Sequence, residues 1–220
     1  MNIFQKYYQL YYKTKIFFPK KSYSLLSEDL FVDKYLKKRD GIYIDIGCYH
    51  PLQGNNTILL HKRGWNGINI DINKTSIDLF NHLRPDDENL HLAVSNKNKI
   101  IKLYYRKKIN MLNTVDKNFA EKNFPNGFKT SKIKSLKLDD IIKKSKFNHK
   151  NIDFLNIDVE GHEINVLKSL NFNKYKPKLI CVEIHHSNKK ELINNNVYKF
   201  LITKKYKKVW QKEYSLIFKI

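Results

Sequence analysis

The sequence predicts an α/β domain with a mostly parallel sheet covered by helices on both faces. Three observations lead there. Apolar runs, "IYIDIG", "GINIDI", "LHLAVS", "KIIKLYY", "IDFLNID" and "KLICVEIH", alternate with helical patterns over 56–63, 73–83, 138–145 and 161–170. Several of these runs are continuously apolar, as strands buried on both faces must be. Their polar residues collect at the carboxyl ends, at Asp45, Asp71, Ser95, Asp158, Glu183 and His185. Ligands of such sheets bind there, beside the switch in strand order.

Taken in order, residues 1–40 read as a helical extension and 41–220 as the main domain. "MNIFQKYYQLYYKTKIFFPKK" holds five lysines and no acid. Ile3, Phe4, Tyr7, Tyr8, Tyr11 and Tyr12 gather on one side of a helix, opposite Gln5, Lys6, Gln9 and Lys13. Such a face packs on the domain's own flank; a peripheral contact of residues 1–21 with an anionic membrane is the other reading. Pro19 breaks the pattern, and "SLLSEDLFVDKYLKK" follows as a second helix, with Ser27 as a cap inside it or at its start. Strands and helices then alternate to about residue 186. The tail, ending in "YKKVWQKEYSLIFKI", supplies one or two antiparallel edge strands.

Composition sets the bounds. A chain of 220 residues makes one domain with a sizeable core. Its net charge of +21 predicts a polyanionic partner: nucleic acid, an anionic membrane face, or an acidic glycan or nucleotide-linked substrate. Cys48 and Cys181 read as small core residues in a reducing compartment, with neither a disulfide framework nor a C-x-x-C metal site. No run reaches the roughly 18 apolar residues that a membrane span needs, and the N-terminus lacks signal-peptide character. The expected location is cytoplasmic, with the inner membrane surface as a place of contact.

The first strand end reads "YIDIGCYHPLQGNNT". A pyrophosphate cradle needs several glycines, so that backbone N–H groups can approach the phosphate oxygens. Here Gly47 is followed by no glycine until Gly54. That disfavours a nicotinamide-dependent oxidoreductase and suits a nucleoside without phosphates. Asp71, ending the second strand, is placed to accept hydrogen bonds from both ribose hydroxyls. Asp45 can hold the turn or reach a cationic ligand group through water. A ligand with a ribose, no phosphate and a positive charge is S-adenosylmethionine.

The segments "IYIDIGCYHPLQGNNTILLHKRGWNGINIDIN", "NLHLAVSNKNKIIKLYY", "LNT", "IDFLNIDVEGHEINVLKSL" and "KPKLICVEIH" carry a resemblance across residues 41–186. Over that span the chain resembles the FkbM family of S-adenosylmethionine-dependent methyltransferases. The resemblance implies a Rossmann-like class I fold, with a seven-stranded sheet whose last strand is antiparallel. It also implies O-methylation of a hydroxyl on a sugar or natural product. Asp45, Gly47 and Tyr49 match the family's first motif, and Asn56 and Thr57 its "NT" pair. Asp71, followed by Ile72, matches the ribose-binding acid. Ala93, Val94 and Ser95 fall where the third strand approaches the adenine. Asp158, Glu160 and Glu163 match D-x-E-G-x-E, and Glu183 the acid after the fifth strand. Cys48 stands where family members commonly carry Ala.

Methyl transfer to a hydroxyl needs alignment and removal of one proton. Asp158, Glu160, Glu183 and His185 are the catalytic candidates, with Asp158 or His185 as base and Glu183 orienting the substrate or the imidazole. Asp158, Glu183 and His185 could instead hold Mg²⁺ or Mn²⁺. Glu163 opens a helix, where a carboxylate favours the macrodipole regardless of catalysis. His162 and His186 read as solvated loop residues. The basic runs at 97–108 and 199–212 suit an anionic, glycan or lipid-linked acceptor; an RNA ribose 2′-hydroxyl is the rival. An inactive binding module on the same fold is the remaining alternative.

Overall fold

The structure is a computed structural model and describes residues 1–107 and 110–220. Lys108, the last residue of the first basic run, lies outside the described residues.

Helix α1 (Ile3–Tyr7) runs into a π-helical turn over Tyr8–Tyr12, and α2 spans Glu28–Tyr35. The domain then alternates as β1 (Ile42–Ile46), α3 (Ile58–Lys62), β2 (Asn66–Asp71), α4 (Lys74–Leu83), β3 (Glu88–His91), β4 (Ala93–Val94) and β5 (Lys99–Tyr105). It continues with α5 (Lys117–Asn123), β6 (Lys129–Leu136), α6 (Leu138–Lys144), β7 (Phe154–Ile157), α7 (Glu163–Lys168) and β8 (Leu179–Glu183). Helices α8 (Lys189–Asn194) and α9 (Asn196–Thr203) precede β9 (Lys207–Lys212) and β10 (Ser215–Lys219).

Seven strands form one sheet in the order β3-β2-β1-β7-β8-β10-β9. The first five are parallel, and β10 runs antiparallel between β8 and β9. This is the mostly parallel, helix-flanked sheet that the apolar runs predict. The strand order reverses at β1, which pairs with β2 on one side and β7 on the other. Every residue of β1 is buried, because helices cover both faces. The larger core cluster includes Ile44, Ile46, Ile70, Leu155, Ile157 and Leu216.

Two strand expectations need correction. "LHLAVS" is not one strand: it breaks at Leu92, so that β3 stays in the main sheet and β4 pairs with β6. "KIIKLYY" is a strand, but it forms an antiparallel hairpin with β6 in a separate three-stranded sheet, β4-β6-β5. That hairpin is solvated: Lys99, Lys102, Lys132 and Lys134 are exposed while Tyr104 and Ile133 are buried. Strand β6 ("KTSKIKSL") has only Ile133 and Leu136 as apolar residues, too few to mark it as a strand.

The N-terminal helix also differs from expectation. Its buried residue is Leu10, whereas Phe4, Tyr8 and Tyr12 face solvent. The π-helical turn after Tyr7 changes the residues-per-turn count, so the aromatic stripe does not turn inward as one face. Ile16 anchors the segment's other end against Tyr23 and Ile58. His50, buried in the first loop, holds the middle. Its Nδ1 accepts from the Leu52 N–H at 3.1 Å, so its Nε2 carries the proton and donates to the Gln9 carbonyl at 3.2 Å.

Arg84, only 1% exposed, fixes the loop after β1. Its guanidinium donates to the Pro51 carbonyl (3.0 Å), Asn55 Oδ1 (2.9 Å) and Thr57 Oγ1 (2.8 Å). Asn55 and Thr57 in turn donate to Asp45 Oδ2 at 3.2 and 3.0 Å. Asn156 on β7 donates to Asp45 Oδ1 at 2.9 Å. Burial pushes the Asp45 carboxyl upward, opposed by these donors and by Arg84. Asp45 therefore ties β1, β7 and the following loop together.

Candidate active site

A cleft opens at the carboxyl ends of β1, β2 and β7, where the strand order reverses. Its floor is the turn after β1. Gly47 has φ of +80°, and a Cβ there would lie 1.6 Å from the Asp158 carbonyl oxygen. The loops after β1 and β7 can meet this closely only over a glycine. Tyr49 and Glu160, one on each loop, also carry positive φ, +50° and +54°. Such conformations concentrate at functional sites.

Asp71 forms the acidic wall. Its Oδ2 accepts from the Tyr49 N–H at 2.8 Å and its Oδ1 from the Asn73 N–H at 2.7 Å. Two backbone donors fix the carboxylate, and each oxygen keeps a further lone pair. Burial pushes its pKa up to about 6. The rest of the lining includes an apolar part, with Ile72, Leu92, Ala93 and Val94. Two more lining groups, Ser76 Oγ and Asn113 Oδ1, are buried and have no hydrogen-bond partner among the described residues. Unpaired buried polar atoms are costly, and both belong to residues of the same cleft's lining, although the two atoms themselves are closed to solvent.

Beyond the cleft lies a wider basin. The two share Tyr49, Asn110, Met111, Asp158 and Glu160 as walls. Glu183 and His185 line the basin alone. Lys13, Arg106, Lys107 and Lys122 also line it. Three carboxyls therefore crowd its floor. Burial, then Asp158 and Glu163, push Glu160 up to about 8. Burial, then Glu160 and Glu163, push Glu183 to about 8 as well. Asp158 is raised well above the usual carboxylate range too, by burial and by Glu183. His185 is lowered by burial and by Lys122, so at neutral pH it is an unprotonated acceptor. Its Nε2 stands 3.8 Å from Glu183 Oε2. The group can take a proton, or attract a cation, at the boundary between cleft and basin.

The D-x-E-G-x-E loop is held from behind. Thr114 Oγ1 donates to the Glu160 carbonyl at 2.7 Å, and the Gly161 N–H donates to Glu163 Oε1 at 2.9 Å. Glu163 therefore braces the loop at the start of α7. Glu160 stabilises nothing in this way. Its folded pKa lies far above the usual carboxylate value, so the fold prefers it neutral, and that stability is lost as pH rises towards about 8. Glu160→Gln is expected to stabilise the protein above about pH 8 by about 1–2 kcal/mol, raising Tm by roughly 2–8 °C. The gain should vanish at acid pH, where Glu160 is protonated in both states; scanning calorimetry at the two pH values checks it.

The structure brings Gly47, Tyr49, Asp71, Ile72, Ala93 and Val94 to the cleft wall, with Asp158 and Glu160 at the boundary. Asp45, Asn56, Thr57 and Ser95 stand behind the wall instead. Thr57 supports Asp45, Asn56 donates to Asn156 Oδ1 at 2.9 Å, and Ser95 Oγ lies 3.0 Å from His162 Nε2. His162 is not the solvated residue expected: the Gly161 turn folds it into the cleft wall, where burial lowers its pKa. Ser76 and Asn113 were not among the candidates. For Asn113 the "LNT" segment was the available signal; Ser76, inside α4, offers none. For a metal, the grouped atoms come from Glu160, Glu183 and His185, within 4.8 Å of one another, rather than from the Asp158 set.

The family model described as "Methyltransferase FkbM domain" matches residues 45–209, a span holding every cleft and basin residue named above except Lys13. No curated protein matches the chain.

Proposed function

This chain belongs to the FkbM methyltransferase family, and we propose that it transfers the methyl group of S-adenosylmethionine to a hydroxyl of a glycan or related anionic acceptor. The observation that carries the reading is the shared wall: Asp158 and Glu160 line both the cleft and the basin, so donor and acceptor meet beside them. The cleft suits the donor. Asp71 accepts from the ribose hydroxyls, while Leu92, Ala93 and Val94 give the adenine an apolar face. Asp158 and Glu160 place negative charge, once ionised, where a sulfonium would lie.

S-adenosylmethionine supplies an activated methyl group, so the protein's own work is alignment and proton removal. Asp158 takes the acceptor proton at the boundary, and Glu183 with His185 orients the acceptor from the basin side. Lys13, Arg106, Lys107 and Lys122 favour an acceptor carrying phosphate or carboxylate. The test is release of S-adenosylhomocysteine on incubation with nucleotide sugars and acidic oligosaccharides. Release with none of them, from a protein that binds the donor, would contradict the acceptor class.

A second reading places a divalent cation on Glu160, Glu183 and His185, favoured by the closeness of their ligand atoms. Full turnover after chelation and dialysis would contradict it.

A further inference from the structure

We propose that residues 3–21 are an interfacial anchor that seats the protein on an anionic membrane surface. The segment turns its aromatic residues outward: Phe4 and Phe18 are each 82% exposed, Tyr12 71%, Phe17 58% and Tyr8 56%. They are not scattered. Tyr8 stacks on Tyr12 with ring centroids 6.5 Å apart, and Tyr12 meets Phe17 edge-on at 5.7 Å. The backbone beneath is held to the domain by buried Leu10 and Ile16 and by the His50 bond to the Gln9 carbonyl. The rings therefore form a supported apolar patch facing solvent.

Charge selects the occupant. The same segment carries Lys6, Lys13, Lys15, Lys20 and Lys21 and no acid. A second copy would bring like charge against like, whereas anionic headgroups complement the lysines while the rings enter the headgroup boundary. No helix among the described residues is long and apolar enough to cross a membrane, so the contact is with the surface. Lys13 belongs both to this segment and to the basin wall. Docking would therefore bring the basin close to the lipid surface, a consequence for the acceptor that rests on the methyl-transfer reading; the membrane contact itself does not.

The experiment is co-sedimentation of the full chain with vesicles of phosphatidylcholine, with and without phosphatidylglycerol, in the absence of S-adenosylmethionine. Two variants accompany it, Phe17→Ser with Phe18→Ser, and Lys20→Glu with Lys21→Glu. All four residues are exposed, and circular dichroism checks the fold. The expected result is partition into phosphatidylglycerol vesicles, reduced roughly tenfold or more in either variant. Equal partition of wild type and both variants would overturn the anchor and assign the binding to other basic surface. A dimer broken by the phenylalanine variant, without vesicle binding, would overturn it in favour of a second copy. RNA binding that needs these residues, without vesicle binding, would overturn it in favour of nucleic acid. Vesicle binding without methyl transfer leaves the anchor standing and the enzymatic reading refuted, so the two fail separately.

Discussion

Gly47→Ala is expected to lose about 4 kcal/mol of stability or more, a cost reserved for a few mechanisms, and to leave no donor site. The added methyl carbon would sit 1.6 Å from the Asp158 carbonyl oxygen, and that oxygen is backbone, which cannot rotate aside. Relief requires the ends of β1 and β7 to part, although the Asp158 N–H is bonded to the Ile46 carbonyl at 2.9 Å just there. Gly127→Ala is the control. Its φ of +88° carries the same conformational penalty, but nothing lies within 4 Å of the new Cβ. That variant should lose only about 1–2 kcal/mol. Urea unfolding of both separates close approach from backbone conformation.

Asp158→Asn is expected to lower kcat by about 10²–10⁴-fold, the usual scale of general-base catalysis. It removes the proposed base, which like Glu160 lines both cavities. The folded protein should be no less stable, because burial and the neighbouring Glu183 already disfavour the Asp158 charge. A merely structural residue would show the opposite pattern, lost stability with activity falling in proportion. Wild-type kcat should rise with pH from the acid side through neutrality, because Asp158 must ionise to act as base and burial with Glu183 raises its pKa well above the usual carboxylate range. Steady-state kinetics with parallel thermal melts check both statements.

The fold was legible where burial is two-sided. β1, β2, β7 and β8 are buried along almost their whole length, and Asp71, Asp158 and Glu183, at or just beyond their strand ends, are then at the ligand face by topology alone. Asp71 could be read in this way. The solvated hairpin could not be placed, since β6 presents lysines and serines with two apolar residues. The orientation of the N-terminal helix was hidden by the π-helical turn, which no composition signals. Ser76 and Asn113 escape sequence reading for a different reason. Each is an ordinary polar residue locally, and its significance lies in an unpaired atom that only the folded cleft reveals. Asp45, read as a turn-holder or ligand contact, is bound by three side chains, one of them 111 residues away.

The central claim is that the cleft holds S-adenosylmethionine through Asp71. Calorimetric titration of S-adenosylmethionine into wild type and Asp71→Ala tests it most directly, with NAD⁺ as the comparison ligand. Wild type should bind with micromolar affinity, weaker below about pH 6 where Asp71 protonates, the variant roughly 100-fold more weakly, and NAD⁺ should not bind. Equal binding by wild type and variant, or no binding by either, would contradict it.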